Sequence, residues 1–154
     1  MFRVLVAFAP LVFIAHVLEE APGFVAWFNS HVSRGISPQS FWQVNVTALM
    51  ITVAVSVVVW FDTSAGTALT TVAWLSFLMG ANALIHITGA VVDGGYVPGL
   101  VTAIFVYVPY CGLIFWLVKR GGVSGNGLLV TAGVGAIPML IHGYRIIFLG
   151  TRLF

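Results

Sequence analysis

The chain has 154 residues, 60% hydrophobic and 6% charged, with a mean hydropathy of +1.10, whereas a soluble domain has roughly 45–50% apolar and about 25% charged residues. That balance excludes an ordinary water-soluble fold. The six Lys and Arg, scattered from Arg3 to Arg152 without a basic stripe, also exclude nucleic acid as a partner.

The expected fold is all-α: a polytopic membrane helical bundle of about five transmembrane helices in a single domain, since each apolar run approaches the ~20 residues needed to cross a bilayer. The first helix is expected over residues 2–20. Arg3 precedes its apolar run as in a signal peptide, but the run ends in His16, Glu19 and Glu20 with no small-residue cleavage pattern, so it reads as a retained helix. Ala21-Pro22-Gly23 stops it, and residues 21–38, carrying Trp27, His31 and Arg34, read as an interfacial loop.

The second helix is expected over 39–61, where Trp42 and Trp60 stand about 27 Å apart at 1.5 Å per residue, as an aromatic belt does. Asn45, Ala48, Thr52 and Ser56 share one face of it, a small and polar stripe suited to close packing and cross-helix hydrogen bonds. The third is expected over 67–92, with Asn82, His86, Gly89 and Asp93 on one face before Gly94 and Gly95 break it. The fourth is expected over 97–118, with Pro98 in its first turn and Lys119, Arg120, Gly121 and Gly122 at its end. The fifth is expected over 126–149, kinked at Pro138, with Gly135, His142 and Arg145 on a common face.

Ionisable side chains inside a membrane are costly, and here they gather at one depth. In an antiparallel bundle the first, third and fifth helices run the same way, and each carries its histidine in its final third: His16, His86 and His142. Asn45 lies early on the oppositely directed second helix, at the same end. His16 shares its helix face with Glu19 and Glu20 at i+3 and i+4. Three imidazoles and one or two carboxylates are donors for a divalent metal, Zn or Fe, as one ion or two. The ligand candidates are therefore His16, Glu19, Glu20, His86 and His142, with either glutamate left as an acid or base. Asn45 and Asn82 are expected to orient the ligands, and Arg145 to neutralise a glutamate or hold an anionic substrate group. Asp93 reads as a solvated helix terminus, His31 as an interfacial residue, Tyr107 and Tyr110 as packing, and Cys111 as a small buried or lipid-facing residue.

His-x-x-Glu-Glu at His16, Glu19 and Glu20, then Asn82-Ala-Leu-Ile-His86, then Tyr96-Val-Pro98-Gly99-Leu-Val-Thr102-Ala, together resemble the HXXEE-domain family of small prokaryotic membrane proteins. The resemblance covers roughly the first four helices, so His142 rests on the topological argument. It implies a multi-pass protein of a prokaryotic cytoplasmic membrane and supports the choice of residues, while supplying no reaction. Arg3, Lys119 and Arg120 at one end, against Arg34 and Arg152 at the other, point to a cytoplasmic N-terminus. The expected function is a metal-dependent membrane enzyme acting on a lipid-like or membrane-soluble small substrate, with a homo-oligomer compatible. A proton- or cation-coupled transporter or channel subunit and a structural assembly module are the alternatives.

Overall fold

The computed structural model describes residues 1–153. Its elements are α1 (Phe2–Ala7), α2 (Ala9–Glu20), α3 (Phe24–His31), α4 (Pro38–Phe61), α5 (Ala65–Leu75), a π-helical segment π1 (Ser76–Ala81), α6 (Asn82–Asp93), α7 (Leu100–Thr102), a second π-helical segment π2 (Ala103–Tyr107), α8 (Val108–Arg120) and α9 (Gly125–Leu149). No strand occurs among the described residues. Five continuous helical stretches are long and apolar enough to cross a membrane: Phe2–Glu20, Pro38–Phe61, Ala65–Asp93, Leu100–Arg120 and Gly125–Leu149.

Local chemistry explains where these stretches bend and end. Pro10 has no N–H to offer the carbonyl of Val6, four residues back, and α1 gives way to α2 at Phe8. The Ser56 hydroxyl of α4 donates to that Val6 carbonyl at 2.9 Å, so the proline is matched by a partner on the neighbouring helix. Thr52, from the same small-residue stripe, accepts from Trp74 Nε1 at 3.1 Å. Ser37 caps α4 by accepting from the Ser40 amide, with Pro38 at the first helical position. Asp62 ties the next turn, accepting from the Ser64 amide, the Ser64 hydroxyl and the Thr67 hydroxyl. The helix over Gly125–Leu149 continues through Pro138.

Glycine lets the fifth stretch approach the third. A Cβ on Gly135 would lie 2.4 Å from the Ala73 carbonyl oxygen, and one on Gly143 would lie 2.3 Å from a carbon of Ile85. The core between the stretches is built from Val6, Phe13, Phe41, Val72, Leu75, Met79, Tyr107 and Ile114.

The segment expected as an interfacial loop over 21–38 contains α3, eight residues long and too short to cross a membrane. Its Phe28 packs with Val32 and with Ile146 of α9. The loop that follows is fastened to the end of α9, where the Gly150 carbonyl accepts from the Ser33 amide at 3.0 Å and from the Ser33 hydroxyl at 3.3 Å.

Candidate metal centre

Two helices each present a pair of side chains one turn apart at the same end of the bundle. In the last turns of α2 these are His16 and Glu20, and in α6 they are Asn82 and His86. The Glu20 Oε1 lies 3.4 Å from His16 Nε2 and 3.1 Å from His86 Nε2, and the Asn82 amide nitrogen lies 3.0 Å from His16 Nε2. His16 and His86 are fully buried and Glu20 is 5% exposed. One ligand atom from each of His16, Glu20 and His86 falls within 4.8 Å of the other two.

Glu19 faces another way. Its carboxylate receives the Tyr96 hydroxyl at 2.8 Å, the Val101 amide at 3.0 Å, the Thr102 amide at 2.7 Å and the Thr102 hydroxyl at 2.5 Å. Four donors thus converge on one carboxylate, two of them amides at the start of α7.

The Thr102 hydroxyl has one proton, and at 2.5 Å it goes to Glu19. The same oxygen lies 2.7 Å from His16 Nδ1 and therefore accepts from it, which puts a proton on Nδ1 and, in the neutral ring, leaves the Nε2 lone pair facing Glu20 and Asn82. His86 has no such anchoring. Neither of its ring nitrogens meets a partner with hydrogen-bond geometry, although Nε2 is within 3.1 Å of Glu20. A buried nitrogen left in this way costs about 1–3 kcal/mol.

Three neighbours close the pocket. Gly99 has φ +95, and a Cβ there would lie 2.8 Å from His86 Cε1, 2.9 Å from His16 Cε1 and 3.0 Å from Glu20 Cγ. Glycine is thus required both by the left-handed backbone and by the close approach. The Tyr107 ring lies 4.3 Å from the His16 ring, and its buried hydroxyl meets no hydrogen-bond partner. From α3, Phe24 stands 6.1 Å from His86. That short helix is held by a clasp in which the Asp93 carboxylate accepts from Trp27 Nε1 at 2.7 Å and pairs with His31 Nε2 at 2.9 Å. The other His31 nitrogen lies 2.9 Å from the Trp27 carbonyl. With both ring nitrogens facing oxygen acceptors, partial burial, which opposes the charged ring, is outweighed and the His31 pKa stands above its ordinary value.

Of the residues singled out from the sequence, His16, Glu20, His86 and Asn82 are brought together. Glu19 reaches the cluster only through Thr102 and His16. His142, expected as the third histidine, stacks on Phe28 at 6.4 Å and accepts from the Leu153 amide at 3.3 Å. The aromatic side of α3 separates it from the cluster: Phe24 faces His86, Phe28 faces His142, and the two phenylalanines touch each other. Arg145, expected beside a glutamate, donates through Nε to the Thr151 hydroxyl at 3.3 Å. Asn45 donates to the Phe41 carbonyl of its own helix. Asp93 is the exposed helix terminus expected and in addition the acceptor of the α3 clasp, and Tyr110 donates to the Leu5 carbonyl. Gly99, Thr102 and Tyr107 were given no site role from the sequence. Gly99 and Thr102 lie within the third quoted motif, which was the available signal, while Tyr107 is indistinguishable in sequence from a packing aromatic.

A family model described as a protein of unknown function with HXXEE motif matches residues 7–114. The chain belongs to the HXXEE family. In it the motif is His16, Glu19 and Glu20, and the matched span holds every residue of the cluster while leaving His142 and Arg145 outside. Comparison with curated proteins and with solved structures returned no match.

Proposed function

We propose that the protein is a membrane-embedded metalloenzyme, with His16, Glu20 and His86 holding one divalent ion and a membrane-soluble small molecule as substrate. The observation that carries this reading is the opposition of lone pairs. In the neutral ring, the Glu19–Thr102–His16 chain turns the His16 Nε2 lone pair towards Glu20 Oε1 at 3.4 Å and the Asn82 amide at 3.0 Å, beside a His86 whose Nε2 lies 3.1 Å from the same Glu20 oxygen without hydrogen-bond geometry. Acceptors facing one another in an apolar interior repel unless a proton or a metal cation lies between them, and the three donors together suit the metal. Two neutral imidazoles and a carboxylate suit Zn or Fe. Glu20 directly, and Glu19 through Thr102 and His16, balance the charge of a divalent ion.

An ion there supplies Lewis acidity at neutral pH. Its apolar surroundings favour an uncharged or lipid-like substrate. An apolar groove of about 80 Å³ between α2 and α4, lined by Phe13, Val17, Trp42 and Asn45 among others, lies against the helix that carries Glu20. Elemental analysis of detergent-purified protein tests the reading: about one Zn or Fe per chain is expected in the wild type, and none in His86→Ala. A wild-type protein with no bound transition metal would refute it.

A further inference from the structure

We infer that Asn82 is a fourth protein ligand to this ion, through its side-chain amide oxygen. The inference rests on the metal reading and extends it to a residue of a type not usually counted among metal ligands. The two helices contribute matching pairs one turn apart, His16 with Glu20 and Asn82 with His86; the ligand atoms of His16, Glu20 and His86 lie within 4.8 Å of one another, and the Asn82 amide lies 3.0 Å from the His16 nitrogen that faces Glu20. Three of the six edges, His16–Glu20 at 3.4 Å, His86–Glu20 at 3.1 Å and Asn82–His16 at 3.0 Å, are close to the edge of about 3.3 Å in a tetrahedron with metal–ligand bonds of ~2.05 Å.

The amide orientation gives the second argument. Asn82 turns its NH₂ to the His16 Nε2 lone pair at 3.0 Å. Once an ion takes that lone pair, the same NH₂ faces a cation at close range and the contact becomes repulsive. Rotating the amide by half a turn exchanges two nearly isosteric ends and aims the oxygen at the ion. The resulting set of two imidazole nitrogens, a carboxylate and an amide oxygen contains no sulfur, so it suits Zn(II), Fe(II) or Mn(II) and disfavours Cu(I).

Co(II) titration of the ion-free, detergent-purified full chain, followed by its visible d–d bands, tests this. Wild type is expected to bind Co(II) with intense bands of low coordination number. Asn82→Leu should weaken binding by about tenfold or more and alter the bands. Asn82→Asp, nearly isosteric and bearing a charged oxygen, should bind more tightly than wild type with bands of similar intensity. If Asn82 only donated a hydrogen bond to His16, the aspartate could not replace it and would gain nothing. Bands and affinity unchanged in both variants overturn the assignment of Asn82 while leaving the metal centre intact. A wild-type protein that binds no Co(II) removes the metal centre, and the fourth ligand with it.

Discussion

At the scale of single residues, the difference between Glu19 and Glu20 is one of partners. Adjacent in sequence, they point to opposite sides of the last turn of α2, Glu20 between two imidazoles and Glu19 into the amides of α7. Glu19 therefore acts as a positioning residue. Glu19→Gln brings an NH₂ among groups that already donate, and Thr102→Val removes the link to His16. Each is expected to lower metal affinity by about 10–100-fold, as loss of an outer partner of a ligating histidine does, while far-UV circular dichroism stays unchanged. Equal Co(II) affinity in both variants would show that the tautomer of His16 is set by something else. Tyr107 leads to the opposite kind of expectation. Its buried hydroxyl has no partner, so Tyr107→Phe should leave the ion-free protein as stable as wild type or more so, by about 1 kcal/mol. A clear drop in melting temperature would mean that the hydroxyl has a partner. That glutamates stand beside a histidine at the end of an apolar helix was legible in the sequence. Which of them turns inward was not, since i+3 and i+4 both lie near the histidine's face and only the position of α7 separates them.

At the scale of elements, α3 and the two π-helical segments frame the site. π1 ends where Asn82 begins and π2 begins where Thr102 ends, so both widened turns adjoin groups of the cluster. A residue added within a helix turns everything beyond it by about 100°. A count of 3.6-residue periods still groups Asn82 with His86, because both lie beyond π1, but it gives no sign of the widened turn itself. The clasp on α3 carries a pH dependence. The folded pKa of His31 is raised, so the stability it contributes is fully present below the unfolded value of about 6.5 and is lost as pH rises through the higher folded value. Amide exchange across Phe24–His31 is expected to be slowest in mildly acidic buffer and to quicken as the solution becomes alkaline, beyond the intrinsic base catalysis of exchange. In Asp93→Asn, which removes the carboxylate from both Trp27 and His31, exchange should be fast throughout. An Asp93→Asn profile parallel to wild type would exclude the clasp as the source.

At the scale of the whole molecule, depth was legible and azimuth was not. Hydropathy with Pro and Gly punctuation marks where a chain enters and leaves an apolar slab, which is why the expected ends at 2, 20, 61 and 149 coincide with the observed ends at Phe2, Glu20, Phe61 and Leu149. How far each helix is turned about its own axis depends on packing, such as the contact of Gly143 with Ile85 and the wedge of α3. His142 illustrates the difference, at the expected end of its helix but facing Phe28. Because the proposed ligands come from α2 and α6, a bound ion would fasten together two stretches far apart in the chain. Removing it should destabilise the fold by about 2.7 kcal/mol when the free ion had been at 100 times its Kd. This appears as a fall in melting temperature that the same ion restores and that His16→Ala does not show. The backbone at Gly99 has a kinetic consequence. It lies against both imidazoles and the Glu20 side chain with no room for even a methyl group, so on the proposed reading an ion would be released slowly, as the turn around Gly99 lifts away. Brief chelation should then strip little metal, and purified protein should retain the ion present when its chain folded.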